Sequence, residues 1–315
     1  LFGEPDILKT IQLMPGVKSA GEGNSGFYVR GGGIDQNLIL LDEAPVYNAS
    51  HLLGFFSVFN SEAIRDATLL KGSIPAEYGG RASSVLDIKM KEGNLKDYSL
   101  TGSIGLISSN LTLEGPIKSE KSSFMISGRR TYADMFLKLA GDEELKNTSL
   151  YFYDLNLKTN FKLNERNRLY LSGYFGRDNF GFADRFGFDW GSKTGTLRWN
   201  HIFNERLFLN SSFIYSDYSY NINLRGTSDI TMRSEIRDMN MKEDFTFYKN
   251  SQSTLKFGVN IIYHNFVPGE IIPGKNSVYN ALKITDRKAV ESAVYFSNNR
   301  IVSTRFQLYY GLRVA

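Results

Sequence analysis

From about residue 97 to the end of the chain, apolar and polar residues alternate with a period of two. In residues 151–163 the odd positions are Tyr, Tyr, Leu, Leu, Thr, Phe and Leu, whereas the even positions from Asp154 onward are Asp, Asn, Lys, Asn and Lys. Residues 255–264 and 305–314 repeat the pattern. Successive side chains of a β-strand point to opposite faces, so each run has one apolar and one polar face. The pattern predicts about eleven strands between residues 97 and 315.

Both a soluble β-sandwich and a membrane β-barrel show this alternation, and three features favour the barrel. The alternating runs reach or exceed the ~9–11 residues that an oblique strand needs to cross a bilayer. Aromatic residues gather at strand ends, as at Phe203 and Tyr248, where interfacial girdles lie. Short polar turns at 164–167, 204–206 and 249–252 alternate with long predicted loops at 134–149, 176–192 and 268–285. We therefore predict a mainly β fold, a transmembrane antiparallel β-barrel.

The composition excludes several other classes of function. The chain has no cysteine, which excludes disulfide scaffolds, thiolate metal sites and cysteine nucleophiles. Its formal net charge of +4 is too small to indicate a nucleic-acid partner. It has only three histidines, and neither a zinc-protease motif nor a nucleophile elbow is present. We expect no enzyme activity, no metal site and no cofactor.

Residues 1–96 have a different pattern, typical of a compact α/β unit. Asp6 is positioned to cap a short amphipathic helix that ends at Pro15-Gly16. Two strand-like runs, residues 27–30 and Asn37–Leu41, flank the three glycines at 31–33, which allow a sharp corner and a close approach to another surface. The unit is small for a domain that is stable by itself.

Short motifs follow one another in order through this unit: Leu13-Met-Pro-Gly-Val17, Tyr28-Val-Arg-Gly31, Asn37-Leu-Ile-Leu-Leu-Asp42, Ala44-Pro45, Ser50-His51, Gly54-Phe55, Leu70-Lys-Gly72 and Ala76-Glu-Tyr-Gly-Gly-Arg81. These motifs and their order resemble the plug domain of TonB-dependent outer-membrane receptors, most closely those of the Bacteroidetes type. The resemblance implies a plug at residues 1–96 inside a barrel whose N-terminal half is residues 97–315.

Such plugged barrels close with about 22 strands, so eleven strands represent about half of one. Open strand edges are not tolerated in lipid, because every backbone polar group there must be paired. We therefore expect a further segment to complete the barrel. We also expect the natural N-terminus, with the TonB box of such receptors, to lie before Leu1.

The resemblance also implies a function and a set of site residues. The function is TonB-dependent active transport of a scarce ligand, siderophore-iron or another nutrient, across the bacterial outer membrane. A passive porin and a surface-binding or structural outer-membrane protein remain alternatives. The outward plug loops, which form the ligand floor in such receptors, correspond to Glu22, Asn24, Ser25, Tyr47, Asn48, Ser50 and His51. The alternative that these are ordinary polar loop residues stays open.

Two arginines are assigned a different role by the same resemblance. Arg30 and Arg81 flank glycine corners and are expected to lock the plug to acidic residues of the barrel wall. The implied partners are the TonB–ExbB–ExbD complex, a small ligand (siderophore, cobalamin, glycan or peptide), outer-membrane lipids and, in some such receptors, a surface lipoprotein lid.

Overall fold

The structure, a computed structural model, describes residues 5–21, 26–139, 141–183, 185–225, 229–275 and 277–315. A small N-terminal unit lies against the inner face of one large antiparallel sheet. In the described residues, no helix is long and apolar enough to span a membrane.

The N-terminal unit combines one helix with short strands. Its elements are α1 (Ile7–Ile11), β1 (Val17–Ser19), β2 (Phe27–Val29), β3 (Asn37–Leu41), β4 (Ala44–Pro45), β5 (Ser50–His51), β6 (Phe56–Ser57), β7 (Ile64–Lys71) and β8 (Ser84–Met90). The central sheet has the order β4-β3-β8-β7, in which β3 and β8 are parallel. The Asp6 carboxylate accepts the Lys9 N–H at 3.0 Å, which confirms the predicted helix cap.

The core of this unit is apolar and extends onto the wall of the large sheet. Leu8, Leu86 and Ile88 are fully buried, and Met125 and Tyr174 of the large sheet belong to the same cluster. A second, smaller cluster joins Leu52 and Phe56 to Phe152 of the wall. Part of the hydrophobic stabilisation of this small unit therefore comes from the wall.

The large sheet is a meander of long strands. They are β9 (Ser99–Ile104), β10 (Ser108–Lys118), β11 (Ser122–Thr131), β12 (Ser149–Asn164), β13 (Asn167–Phe182), β14 (Phe186–Ile202), β15 (Leu207–Leu224), β16 (Ile230–Asn250), β17 (Ser253–Pro273), β18 (Leu282–Lys283), β19 (Arg287–Ser303) and β20 (Phe306–Val314). Two short helices, α2 (Ala133–Lys138) and α3 (Glu143–Lys146), lie between β11 and β12. In the described residues, eleven strands pair antiparallel in chain order from β9 to β20, and the two-residue β18 pairs only with β17.

Burial in this sheet is inverted relative to a soluble protein. On β12 the inward-facing Asp154, Asn156 and Lys158 are at most 3% exposed, whereas the outward-facing Leu155 is 48% exposed. Phe213 and Leu197 on neighbouring strands are also about half exposed. A polar inner face and an apolar outer face are the arrangement of a barrel wall in lipid, so the predicted fold class is confirmed.

Two of the predicted long loops are wrong in extent. Most of residues 176–192 belongs to β13 and β14, which pair up to the register Phe182↔Phe186, and β17 continues to Pro273. These residues lie instead on strands that pair with both neighbouring strands over most of their length. The strands β12–β17 are 16 to 21 residues long, more than the bilayer requires, so they form a wall that extends past the long-loop end of the membrane region.

Candidate functional site

The segment from Tyr47 to Leu52 crosses the inner face of the wall and contacts five consecutive strands, β16 to β12, in turn. The Tyr47 hydroxyl donates to Asp238 of β16, and the Asn48 amide donates to the Tyr218 hydroxyl of β15 at 3.3 Å. The Trp190 indole N–H of β14 donates to the Ser50 carbonyl oxygen at 3.4 Å. We call residues 47–52 the crossing segment. Strand order in the wall thus determines which partner each plug residue meets.

Two of the predicted floor residues also stabilise the crossing segment internally. The Asn48 side-chain oxygen accepts both the Ser50 N–H, at 3.1 Å, and the Ser50 hydroxyl, at 2.8 Å. Such a turn fixes the backbone without secondary structure.

Burial, and secondly the Asp238 carboxylate, raise the pKa of Tyr47 well above its ordinary value, so the phenol stays protonated and donates.

His51 is buried between two wall carboxylates. Its Nδ1 lies 2.6 Å from Asp178 of β13, its Nε2 lies 3.3 Å from Asp154 of β12, and the imidazole is only 2% exposed. The ring stacks on Phe152 with a centroid distance of 4.0 Å and an interplanar angle of 6°. Burial opposes a charge on the imidazole, but Asp178 and Asp154 outweigh it and raise the pKa of His51 above its ordinary value.

Charged contacts between plug and wall are concentrated nearer the short-turn end, and most use plug carboxylates. Lys158 lies 2.9 Å from Asp42, with both side chains at most 6% exposed. Arg198 lies 3.1 Å from Glu43, and Lys256 lies 2.8 Å from Glu77. The sequence analysis did not predict these three pairs; the polar parity of Lys158 and Lys256 was the available signal.

The two arginines predicted to lock the plug are differently placed. Arg30 has a φ of +49° and is exposed, with its guanidinium against Gly72 of the plug itself. Arg81 is exposed and donates to the Gly80 carbonyl oxygen at 3.0 Å. Within the described part of the chain, neither guanidinium pairs with a wall carboxylate, and their locking role stays a prediction. Glu22, Asn24 and Ser25 lie outside the described residues.

A cavity of about 920 Å³ separates the plug sheet from strands β14–β20. Tyr47 and Arg81 border it from the plug, and Asp238, His264 and Glu291 border it from the wall. His264 Nδ1 lies 2.7 Å from Asp238, whose second oxygen accepts the Tyr47 hydroxyl. A cavity of this size beside the crossing segment, lined by apolar side chains together with charged and hydroxyl groups, can hold a small ligand or water.

The histidines and carboxylates at the plug–wall interface are side chains of the kinds that bind metal ions. Among the described residues, no group of three or more His, Asp and Glu side chains is arranged to hold a metal ion. Around His51, Asp178 accepts from the imidazole and from the Leu52 N–H, and one oxygen of Asp154 accepts from Arg129. The geometry is that of an interface held together by charge-assisted hydrogen bonds.

The N-terminal unit matches a known protein family. Residues 2–85 match the model of the TonB-dependent receptor plug domain. The N-terminal unit is therefore similar to the plug domain of TonB-dependent receptors. The family consists of receptors and transporters rather than enzymes, which agrees with the prediction from the motifs.

Solved structures share the fold of this chain over nearly its whole length. The copper transporter OprC matches with a TM-score of 0.73 and 14% identity over 98% of the chain and 51% of its own. The ferric enterobactin receptor PfeA from Pseudomonas aeruginosa matches with a TM-score of 0.71 and 16% identity, over 98% and 55% of the two chains. The siderophore receptor PirA from Acinetobacter baumannii matches with a TM-score of 0.68 and 15% identity, over 98% and 54%.

The chain corresponds to only part of each similar structure. The chain spans about half the length of each solved structure, and that half contains the plug and one side of the barrel wall. A comparison with curated proteins finds no match. At 14–16% identity, the similarity concerns the fold.

Proposed function

We propose that this receptor transports a scarce ligand actively across the bacterial outer membrane, with energy supplied by the TonB–ExbB–ExbD complex. The observation that carries the proposal is the plug packed by buried charges against the inner face of a barrel wall whose outer face is apolar. Lys158–Asp42 and His51–Asp178 are the clearest of these contacts. A wall of this kind belongs in lipid, and a plug of this kind closes its lumen.

The plug makes passive flow through the lumen unfavourable. A barrel of about 22 strands encloses a wide aqueous interior, which leaks unless it is filled. The outer membrane has no energy source of its own, so movement of the plug requires work from elsewhere. The family relationship supports TonB as that source, and the lumen geometry supports the need for it.

Uptake in cells with and without TonB tests this proposal. The probe is ⁵⁵Fe-loaded enterobactin, chosen because PfeA is among the similar structures. We expect accumulation that depends on both the receptor and TonB. Equal accumulation without TonB favours the passive porin, and surface binding without accumulation favours the surface-binding or structural protein.

The ligand class needs a second experiment, since a siderophore, cobalamin, a glycan and a peptide all fit a plugged barrel. The similar structures include siderophore and copper transporters, which supports a metal chelate as the first candidate. Expression of the receptor under iron limitation is compared with expression during growth on glycans. Strong repression by iron supports a siderophore as the ligand. Induction by a glycan instead makes a glycan the first candidate ligand and favours a receptor with a lipoprotein lid.

We further propose that the plug is residues 1–96, that the wall begins at residue 97, and that the crossing segment is part of the ligand floor. Short turns mark the periplasmic side of such barrels, and the crossing segment lies nearer the long-loop end. Tyr47, Asn48 and Ser50 are the floor residues with the best support, because the cavity is bordered by all three. Replacing Tyr47 with Ala is expected to weaken binding of the transported ligand and to leave the plug seated.

A further inference from the structure

Apart from the imidazole itself, the surroundings of His51 contain two negative charges, on Asp154 and Asp178, and one positive charge, on Arg129. Asp154 and Asp178 have side chains that are at most 1% exposed. Arg129 of β11 neutralises one of them, since its guanidinium lies 2.7 Å from Asp154. Tyr174 contributes a hydroxyl 3.3 Å from His51 Nε2 but no charge. A second buried carboxylate without a cation is costly, so His51 balances the cluster only when it carries a proton.

The cluster joins the plug to three neighbouring wall strands. His51 contacts β12 and β13, and the next backbone N–H, that of Leu52, donates to Asp178 Oδ1 at 2.7 Å. Arg129 also donates to the Ser57 carbonyl oxygen of β6 at 2.8 Å. The residues between these contacts, 52–56, are thus fastened at both ends to the wall.

The fastened stretch has a strained backbone. Leu52 and Leu53 have φ values of +47° and +58°, and Gly54 follows with +111°. Left-handed conformations are costly for residues with a branched, bulky side chain and persist only where the surroundings impose them. Leu53 is 58% exposed, so packing of its own side chain does not impose this conformation.

We propose that His51 is a plug–wall latch, in which the protonated imidazole holds residues 50–57 against β12 and β13 and keeps the left-handed turn at Leu52–Gly54 from relaxing. Release of the latch lets this turn unwind and displaces the adjacent Asn48 and Ser50 of the crossing segment. The histidine then serves plug movement rather than ligand contact. The proposal rests on the seated plug, not on the identity of the ligand.

Hydrogen–deuterium exchange of the purified receptor, without TonB and without ligand, tests the latch. In His51→Gln, we expect amide exchange in residues 50–57 to rise about tenfold or more, because the segment opens locally. His201→Gln is the matched control, since this histidine bonds only Asn167 of the neighbouring strand in the described contacts. Unchanged exchange in His51→Gln overturns the proposal.

Two further variants separate a latch from a general loss of packing. His51→Gln combined with Asp178→Asn removes one positive and one negative charge and leaves the Arg129–Asp154 pair intact, so we expect protection to be largely restored. Leu53→Gly relieves the left-handed strain at an exposed position, so we expect slower exchange than in the wild type. If the double variant exchanges as fast as the single one, charge balance is not the cause; if Leu53→Gly does not slow exchange, the turn stores no strain. Either result overturns its half of the proposal, whatever the outcome of the uptake experiment.

Discussion

At the scale of single residues, buried charges hold the plug to the wall, and each depends on its partner. Removing one member of a buried ion pair typically costs about 3–5 kcal/mol, because the other charge remains in a poorly solvated site. Lys158→Met is therefore expected to destabilise the receptor by about that amount, since it leaves Asp42 unpaired. Guanidinium-induced unfolding in detergent, followed by tryptophan fluorescence, measures the change.

Two comparison variants make this prediction specific. Lys162→Met, on the same strand and parity, removes an exposed pair with Glu165 and is expected to leave stability nearly unchanged. Adding Asp42→Asn to Lys158→Met removes the unpaired charge and is expected to recover most of the lost stability. Asparagine also tolerates the φ of +46° at this position. A double variant as unstable as the single one contradicts the ion-pair explanation.

The raised pKa of His51 predicts how stability depends on pH. A histidine whose pKa is higher in the folded state binds its proton more tightly there, so its contribution is fully present below its unfolded pKa of about 6.5. The contribution is lost as the pH rises through the raised, folded value. Thermal unfolding from pH 6 to pH 10 is expected to show this decrease in the wild type and not in His51→Gln. Identical pH profiles contradict the prediction.

At the scale of secondary-structure elements, the strands are specified by their two faces. The outward face of β12 includes Leu155, which is half exposed, and the inward face includes Asn156, which is 1% exposed. Leu155→Lys is expected to destabilise the inserted barrel by about 2–4 kcal/mol if the residue lies near the bilayer midplane. Folding titrations into lipid vesicles measure this, with Asn204→Lys in a short turn as the control that changes little. Equal effects in both variants contradict an outer face in lipid.

At the scale of the whole molecule, the plug seals the lumen through contacts spread along the wall. Arg198→Ala together with Lys256→Ala removes two cations that pair with plug carboxylates, and is expected to increase passage of vancomycin through the receptor in intact cells. Arg30→Ala and Arg81→Ala test the lock predicted from the family resemblance. If these arginine variants leak and the Arg198–Lys256 variant stays sealed, the lock is the one predicted from the sequence. Sensitivity to vancomycin at matched expression decides between them.

The sequence alone determined the strands, their faces and the capped first helix, because these depend on neighbours along the chain. Alternation with a period of two needs no knowledge of the fold, and it predicted about eleven strands where eleven pair in chain order in the described residues. Only the tertiary structure decided which plug residue meets which strand. His51 and Asp178 are 127 positions apart, and Tyr47 and Asp238 are 191 apart. Such pairs follow from the seating of the plug in the wall, and polar loop residues that bind a ligand have the same local pattern as those that hold an interface. The family resemblance therefore implied a place for His51 in the ligand floor, and only its burial between two carboxylates pointed to the wall.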